Sequence, residues 1–561
     1  MRRTIELASQ LERLERASRA PQPWPYAMLS SPAQTGFTYG GYLDRIDSTR
    51  PLPPSAFRDD LITLGMPITE ICNATYADPR QRQLFKNILY VGALAQLLGM
   101  DLQVIEALFA EQFRGKEKLL ASNVRALHLG HDFAAEHLAH EPVGLRVQRR
   151  DKVGQRILVD GNTAAALGCV YGGASVCAWY PITPSSSVAE AFQKYCAKLR
   201  VDPQTGEQRY AIVQAEDEIA SIGMVTGAGW NGARAFTATS GPGVSLMTEF
   251  IGLAYFAEIP VTIINVQRGG PSTGMPTRTQ QADIISCAYA SHGDTKHVLL
   301  FPQDPHECFE HAAAALDLAD RLQTPVFVMT DLDIGMNQRL CEPFAWDDAR
   351  RYDRGKIMTA EMLESGRDFG RYKDVDGDGI PWRTLPGTHP TLGSYFTRGT
   401  TRDEYARYSE TGPDYLRNVQ RLAAKLRTAA TLVPQPVPRA AAHKTRYGVI
   451  YFGSTSPAMD EALHSLAADG VHVDALRLRA FPFPASVLEF IQAHDEVFVV
   501  EQNHDAQLRS LLINELAVAP SQLFAVLHYD GTPITARFIK QAIERHVQAR
   551  RNETARRARS T

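Results

Sequence analysis

Three consecutive acids, Glu216-Asp217-Glu218, stand where an apolar β-like run, Ala211–Gln214, gives way to a helix-like run containing Gly223, Gly227 and Gly229. Carboxylates at a helix start can simply complement the macrodipole. One of them can instead turn inward and hold a proton against a ligand that the small-residue face lets approach. Upstream, Tyr180-Pro-Ile-Thr-Pro-Ser-Ser holds Thr183 between Pro181 and Pro184, which fix φ and bar an early helix start. That leaves the Thr183 hydroxyl near a helix N-terminus, open to an anionic or carbonyl oxygen. Downstream, Thr239-Ser-Gly-Pro-Gly is a tight turn able to present backbone amides at Ser240 and Gly241. Gln267-Arg-Gly-Gly then places the Arg268 guanidinium beside flexible glycines, which suits a carboxylate or phosphate. Spacing alone favours a capped Pro-rich turn at Thr183 and a plain turn at Ser240. It leaves the inward acid and the ligand-binding arginine level with an ordinary cap and a surface arginine.

Each junction ends an apolar β-like run, and the first three lead into helix-like runs. Strands are expected at Val176–Tyr180, Ala211–Gln214, Arg234–Thr239, Val261–Val266, His297–Phe301 and Val326–Thr330, with helices such as Val188–Leu199 and Leu246–Ala257 between them. Ser187 and Glu190 have capping-box spacing at the head of the first helix. Alternation of this kind predicts an α/β fold whose parallel sheet is covered on both faces. Ligands of such sheets bind beyond the carboxyl ends of the strands, so the four junctions should share one edge and form half of a pocket.

At 561 residues the chain is multi-domain. The expected division is an N-terminal, mainly helical part over 1–140, a linker over 141–156 and the α/β domain over 157–340. An irregular connecting segment follows over 341–440, then a smaller α/β domain over 441–545 and a solvated tail over 546–561. In the first part a helix is expected over Gln83–Leu98 with a stop at Gly99, then a second helix capped by Asp101. Residues 1 to about 35 read as a helix and a loop. The small domain is expected to carry strands at Tyr447–Phe452, Val471–Leu478 and Glu496–Val500, with helices at Ser456–Ala468 and near Val487–Ala493.

A net charge of -3 gives no reason to expect nucleic acid or an anionic membrane as partner. Seven dispersed cysteines without a C-x-x-C pair fit a reducing, cytoplasmic setting and provide no local iron–sulfur or zinc motif. The N-terminus lacks an apolar signal region, and the most apolar window, Val244–Val266, is broken by Glu249, Glu258 and Pro260.

In combination the junctions closely resemble the α subunit of 2-oxoacid:ferredoxin oxidoreductases, most of all 2-oxoglutarate:ferredoxin oxidoreductase with a fused γ domain. The likeness rests on the four junctions, on Pro271-Ser-Thr-Gly-Met-Pro-Thr-Arg-Thr-Gln-Gln, on Asp374-Val-Asp-Gly-Asp-Gly-Ile-Pro-Trp-Arg-Thr-Leu-Pro-Gly and on Glu501-Gln-Asn. It spans about Ile157 to Tyr529, and Gly36 to about Phe133 looks like the later part of a γ domain without its opening Gly-rich loop. A truncated gene reading and a reduced domain are both open.

The resemblance implies a pyrimidine-binding thiamine diphosphate domain, a transketolase-C-terminal-like α/β domain and a γ-domain remnant. It implies CoA-dependent oxidative decarboxylation of 2-oxoglutarate to succinyl-CoA, with ferredoxin reduced. Glu218 matches the acid that contacts the aminopyrimidine, and Thr183 and Arg268 match the residues facing the 2-oxoacid. Tyr180, Pro181, Ser240 and Gly241 join Glu218 around the cofactor. The sequence has no Gly-Asp-Gly followed at the right interval by Asn, which binds the diphosphate through Mg²⁺, so the diphosphate, Mg²⁺ and iron–sulfur sites are expected on a β partner. No metal site is expected on this chain. Asp374, Asp376 and Asp378 follow a calcium-loop pattern, but Leu385 stands where its closing Glu would be, and a structural loop is the better reading. Alternatives are the same chemistry on pyruvate or a branched-chain 2-oxoacid, a non-catalytic scaffold for a thiamine enzyme, and a Rossmann-type dinucleotide binder. The last lacks G-x-G-x-x-G after its first strand.

Overall fold

Apolar runs separated by glycine- and proline-bearing breaks become strands and helices throughout the computed structural model, which describes residues 26–30, 61–138, 145–397 and 399–560. Two units emerge, Met1–Lys152 and Val153–Thr561. In the first, β1 (Tyr26–Ser30) and β2 (Leu61–Gly65) pair in parallel. The helices Ile68–Thr75, Pro79–Leu98, Leu102–Gln112 and Glu117–His137 follow. Gly99 ends the second of these in the left-handed region at φ 65°, and the Asp101 carboxylate caps the third by accepting from the Gln103 N–H. The two longest helices cross where glycines replace side chains: a Cβ on Gly92 or Gly130 would fall 2.0 or 1.9 Å from a carbonyl oxygen of the other helix. Apart from β1, the expected helix and loop over 1–35 lie outside the described residues, as do the start of the γ-like stretch at 36–60 and the head of the linker at 141–144.

The strands of the second unit begin with β3 (Ile157–Val159), β4 (Val176–Trp179), β5 (Ala211–Gln214), β6 (Ala235–Thr239), β7 (Val261–Gln267), β8 (Val298–Leu300), β9 (Pro325–Asp331) and β10 (Arg339–Cys341). They continue with β11 (Val437–Arg439), β12 (Tyr447–Tyr451), β13 (Asp474–Arg477), β14 (Ala480–Phe481), β15 (Glu496–Glu501) and β16 (Leu523–Leu527). The main sheet has the order β14-β8-β9-β7-β6-β4-β5, and all of it is parallel except β14. Its central strands β7 and β9 are buried at every residue, as a sheet covered on both faces requires. One face packs on the helices Gly161–Tyr171, Ser186–Leu199 and Pro305–Leu322. The other packs on Glu218–Trp230 and Gly241–Ala257 and runs on into the core of the smaller sheet through Phe452, Leu478, Phe481 and Leu511. That smaller sheet has the order β11-β13-β12-β15-β16.

The stretch expected to be irregular between the two α/β regions contains a 21-residue helix, Gly412–Leu432, capped by the Thr411 hydroxyl on the Asp414 N–H. Buried charge joins the apolar contacts of Ala429, Leu432 and Val433 in binding it to the main sheet. Glu258 is buried and takes the left-handed C-cap position after Ala257, at φ 61°. Its Oε2 accepts from Arg421 at 2.9 Å and from Lys425 at 2.6 Å, and Arg402 lies 3.5 Å from Oε1. Asp320 likewise gathers Arg234, Arg354 and Arg383 at 3.0, 2.9 and 2.8 Å. In the Asp374–Gly379 loop the ammonium of Lys356 sits 2.6 and 2.8 Å from Asp376 and Asp378, while Asp374 accepts from the N–H groups of Gly377 and Gly379.

The expected solvated tail from 546 onward is instead the continuation of the helix Ala536–Ser560. Val547 is buried, and His546 and Arg550 reach Glu496 at 2.5 and 3.1 Å. Among the described residues no helix is long and apolar enough to cross a membrane.

Burial alone would raise the Glu258 carboxyl, but the charges of Arg421 and Lys425 overcome it and hold the group well below the usual carboxylate range. Its contribution to stability is therefore complete above the unfolded value of about 4.3 and is lost as the pH falls toward the depressed native value. Glu258→Gln should cost about 3–5 kcal/mol, because it leaves several buried cations without their counter-charge. Urea unfolding at neutral pH measures this, and a loss below about 1 kcal/mol, the size of an exposed pair, would refute the anchoring role.

Candidate active site

All four junctions lie at the carboxyl ends of parallel strands, and the structure brings them together. After β4 the chain turns through Tyr180, half-buried, and Pro181, exposed. The Ile182 carbonyl accepts from the Ser185 N–H at 2.9 Å, and the Ile182 N–H donates to Ser186 Oγ at 3.0 Å. The capping box expected from Ser187 and Glu190 does not form. The helix starts two residues earlier, after Ser185, and Ser187 Oγ accepts instead from Asn162 Nδ2 at 2.9 Å. Asn162, buried at the head of the neighbouring helix, also donates to the Pro184 carbonyl at 2.8 Å and so fixes the elbow from outside. Thr183 is left exposed at its tip.

The three acids separate. Glu216 is exposed, and Asp217 caps its helix by accepting from the Ala220 N–H at 2.7 Å. Glu218 is buried as the first helical residue. Its side chain lies against the next junction, where a Cβ on Gly243 would fall 2.9 Å from Glu218 Cγ and 2.0 Å from Thr239 Oγ1. No hydrogen-bond donor among the described residues reaches the Glu218 carboxylate. Ser240 precedes the helix Gly241–Ala257 in extended conformation, and its buried Oγ has no partner among the described residues.

Arg268, 8% exposed, closes the circle by donating from Nη1 to the Thr183 carbonyl at 2.6 Å. Its Nε is buried without a partner among the described residues. Burial lowers the guanidinium pKa, opposed by the charges of Asp283 and Glu218. Thr183, Glu218, Ser240, Gly241 and Arg268 therefore share one corner, with Arg268 tied to Thr183 directly and to Glu218 through charge.

Asp283 also belongs to this corner, and the sequence reading passed over it. A Cβ on Gly241 would meet its carboxylate oxygens at 2.6 and 2.8 Å. Asn265 Nδ2 donates to its Oδ2 at 3.1 Å, and its own N–H donates to Gln267 Oε1 at 3.1 Å. Burial pushes the carboxyl up to about 6, against the pull of the Asn265 amide and the Arg268 charge. The only signal in the sequence is an acid just before Ile284-Ile285, which reads as a cap for a short helix.

Gln281 anchors the loop that carries Arg268 and Asp283. It donates from Nε2 to Asp331 Oδ2 at 3.3 Å and to Ser454 Oγ at 3.2 Å, and from its N–H to the Gln502 carbonyl at 2.8 Å. Ser454 and Gln502 come from the smaller sheet's domain, so that domain holds the site loop. Glu501 of the Glu-Gln-Asn motif is committed to structure: its carboxylate accepts from Asn503 Nδ2 at 2.6 Å and from the Leu508 N–H at 2.8 Å.

The corner offers a buried carboxylate free of internal donors, a cation with a spare N–H, an orphaned hydroxyl and a glycine-lined floor. Such a wall can exchange a proton with one part of a ligand while holding a carboxylate of another.

Comparison with known proteins adds the following. A family model described as pyruvate flavodoxin/ferredoxin oxidoreductase, thiamine diP-bdg, matches residues 167–346, and one described as pyruvate ferredoxin/flavodoxin oxidoreductase matches residues 38–133. The chain is 32% identical over 502 residues to 2-oxoacid:ferredoxin oxidoreductase 2, subunit alpha, of Aeropyrum pernix, covering 86% of this chain and 75% of that relative. It is 32% identical over 355 residues to the 2-oxoglutarate synthase subunit KorA of Methanocaldococcus jannaschii, covering 62% of this chain and 88% of that one. Its fold is similar, at TM-score 0.74 and 26% identity, to a 2-oxoglutarate:ferredoxin oxidoreductase from Magnetococcus marinus with 2-oxoglutarate, coenzyme A and succinyl-CoA bound. That match covers 88% of this chain and 82% of the other.

The contact between Gly243 and Glu218 can be tested without reference to activity. Gly243→Ala overpacks the corner and should destabilise the chain by about 1–3 kcal/mol. Gly227→Ala, whose Cβ meets nothing within 4 Å on the same wall, should stabilise it by up to about 1 kcal/mol. Equal effects in urea unfolding would mean that the two walls do not touch as described.

Proposed function

This chain belongs to the 2-oxoacid:ferredoxin oxidoreductases, as an α subunit, and from that premise we propose that it forms the pyrimidine- and substrate-facing wall of a thiamine diphosphate site acting on 2-oxoglutarate. The observation that carries this reading is the buried Glu218 on the floor made by Gly243, in the same corner as Arg268. The residues present fit the cofactor. Gly243 clears the space over which Glu218 lies, and among the described residues Ser240 Oγ is buried without a partner and no donor competes for the Glu218 carboxylate.

Thiamine diphosphate, when bound, supplies the carbanion-stabilising chemistry that 2-oxoacid decarboxylation needs. Glu218 would hold and return the proton at the pyrimidine ring, working as an acid–base group in a place little reached by water. Ser240 and the Gly241 backbone would flank the same ring, with Tyr180 and Pro181 at the rim. Arg268, steadied by the Thr183 carbonyl, would use its spare N–H to fix the C1 carboxylate of the substrate, because a guanidinium matches a carboxylate in shape and charge. The exposed Thr183 would offer its hydroxyl to the 2-oxo group. The domain division of the sequence reading, with the catalytic wall in 157–340 and a supporting domain in 441–545, is part of the same proposal.

The rest of the reaction would belong to partners. A β subunit would carry the diphosphate, Mg²⁺ and iron–sulfur sites, coenzyme A would take the acyl group, and ferredoxin the electrons. The bound 2-oxoglutarate of the Magnetococcus marinus neighbour supports the choice of substrate over pyruvate or a branched-chain acid.

In the purified αβ complex, Glu218→Gln should lower turnover with 2-oxoglutarate by about 10²–10⁴-fold, the usual worth of an acid–base group, without changing assembly or unfolding. Unchanged turnover would favour a scaffold role for this chain. Strict preference for pyruvate in wild-type turnover would remove the 2-oxoglutarate assignment. The isolated chain should contain no iron.

A further inference from the structure

Arg268 is followed by Gly269, Gly270 and a loop that doubles back on itself. The Gly269 N–H donates to the Arg278 carbonyl at 2.9 Å, and the Gly269 carbonyl accepts from the Met275 N–H at 2.9 Å. Gly270 has no comparable packing, since a Cβ there would meet nothing within 4 Å. What holds it is a side chain from beyond the far end of the loop: Gln280 Oε1 accepts from the Gly270 N–H at 2.9 Å. The two neighbours of Gln280 are buried and tied elsewhere. Thr279 Oγ1 accepts from the Asp333 N–H at 3.4 Å, at the sheet end. Gln281 is bonded to Asp331, Ser454 and Gln502 as described above, and Asn503 Nδ2 donates to its carbonyl at 3.0 Å. Gln280 itself is half-buried. Its backbone therefore belongs to the junction of the main sheet with the smaller domain, while its amide reaches the backbone two residues beyond Arg268. Because the Gly270 N–H can only donate, the amide oxygen must face it, and Nε2 turns away without a partner among the described residues.

We propose that Gln280 is a positioning residue, which aligns the Arg268 guanidinium for the substrate carboxylate by fixing the Gly270 N–H. The inference rests on the reading of Arg268 given above. Glycine has the widest backbone freedom of any residue, and Arg268 stands directly before two of them. The pairing of Gly269 with Met275 and Arg278 fixes one side of the chain leaving Arg268, and the Gln280 bond fixes the other. Consecutive Cα atoms are about 3.8 Å apart, so a shift at Gly270 acts on Arg268 over less than about 8 Å. The guanidinium already spends Nη1 on the Thr183 carbonyl, and its buried Nε has no partner among the described residues. A carboxylate meets such a group well only when the planes of both are aligned, and displacement of about 1 Å is costly in a reacting site. Gln280 does this without touching substrate. It passes the fixed placement of Gln281, set by the smaller domain, to the backbone beside Arg268.

The test compares the purified αβ complex, wild type and variants, in about 0.5 M salt, where added surface charge is largely screened. Calorimetric titration with oxalate, an unreactive dicarboxylate, reads affinity. Hydrogen exchange of the Gly269–Arg278 peptide reads the loop, and turnover with 2-oxoglutarate separates KM from kcat. Gln280→Leu keeps the bulk of the side chain and removes the acceptor. It should speed exchange in the loop and raise both the oxalate Kd and the KM by about two- to tenfold, the worth of one hydrogen bond, with kcat unchanged. Gln280→Glu, which returns an oxygen to the Gly270 N–H but has no amide N–H, should restore slow exchange and affinity together. If the first variant does not assemble, Gln280→Ala makes the same comparison. Oxalate affinity unchanged by loss of the acceptor, or weakened without faster exchange, overturns the proposal. Affinity that stays weak in Gln280→Glu once exchange is slow again also overturns it, and makes the amide a direct ligand. In each case weakening by Arg268→Lys leaves the reading of Arg268 standing. Oxalate binding indifferent to Arg268→Lys overturns both.

Discussion

One buried carboxylate, that of Asp331 at the end of the central strand β9, holds together the three parts on which the site depends. Its Oδ1 accepts from the Ile334 N–H at 3.1 Å and so starts the short helix that closes the sheet end. Its Oδ2 accepts from Ser454 at 2.5 Å, which fixes the smaller domain, and from Gln281, which fixes the loop carrying Arg268 and Asp283. Burial raises this acid, with Asp333 adding to the effect, and the three donors oppose them. In a water-poor place such donors are worth more than on a surface, and leaving the carboxylate short of one would cost accordingly. The loop from Gly270 to Met275 is exposed and has little to hold it within its own length. The placement of the corner is therefore fixed in part by bonds from the smaller domain.

The fold was legible where apolar runs and their punctuation agreed. The parallel strands of the main sheet, the stop at Gly99 and the cap at Asp101 are all stated by local sequence and realised as read. The helix Gly412–Leu432 was passed over although apolar residues recur along it at Tyr415, Val419, Leu422, Leu426 and Ala429; the face it buries also carries Asn418, Arg421 and Lys425. Buried charges on the docked face dilute an apolar stripe without erasing it. The continuation of the last helix past residue 546 was hidden for a similar reason, since its contacts run from His546 and Arg550 to Glu496.

At the site, types and spacing brought the right neighbourhood into view without ordering its members. Nothing in Glu216-Asp217-Glu218 distinguishes the exposed acid, the cap and the buried acid. That distinction needs the helix to begin where it does and Gly243 to lie beneath the third residue. Asp283 was passed over because its partners, Asn265, Gln267 and Gly241, are distant in sequence or unremarkable in type. The Ser187–Glu190 spacing misled because a tertiary donor, Asn162, claimed the serine first. Local rules lose at this corner wherever a residue from another element offers a better bond.

The short antiparallel strand β14 gives the chain a schedule. Ala480 and Phe481 pair with Leu300 and Leu299, far back in the sequence, and the Arg479 carbonyl accepts from the Phe301 N–H at 2.7 Å. A sheet begun near Val176 is thus not finished until the ribosome has delivered the middle of the smaller domain. Until then β8 waits as an open edge, and contacts so distant along the chain form late and slowly. The bonds from Gln281 to Ser454 and Gln502 likewise cannot form until the smaller domain has been made.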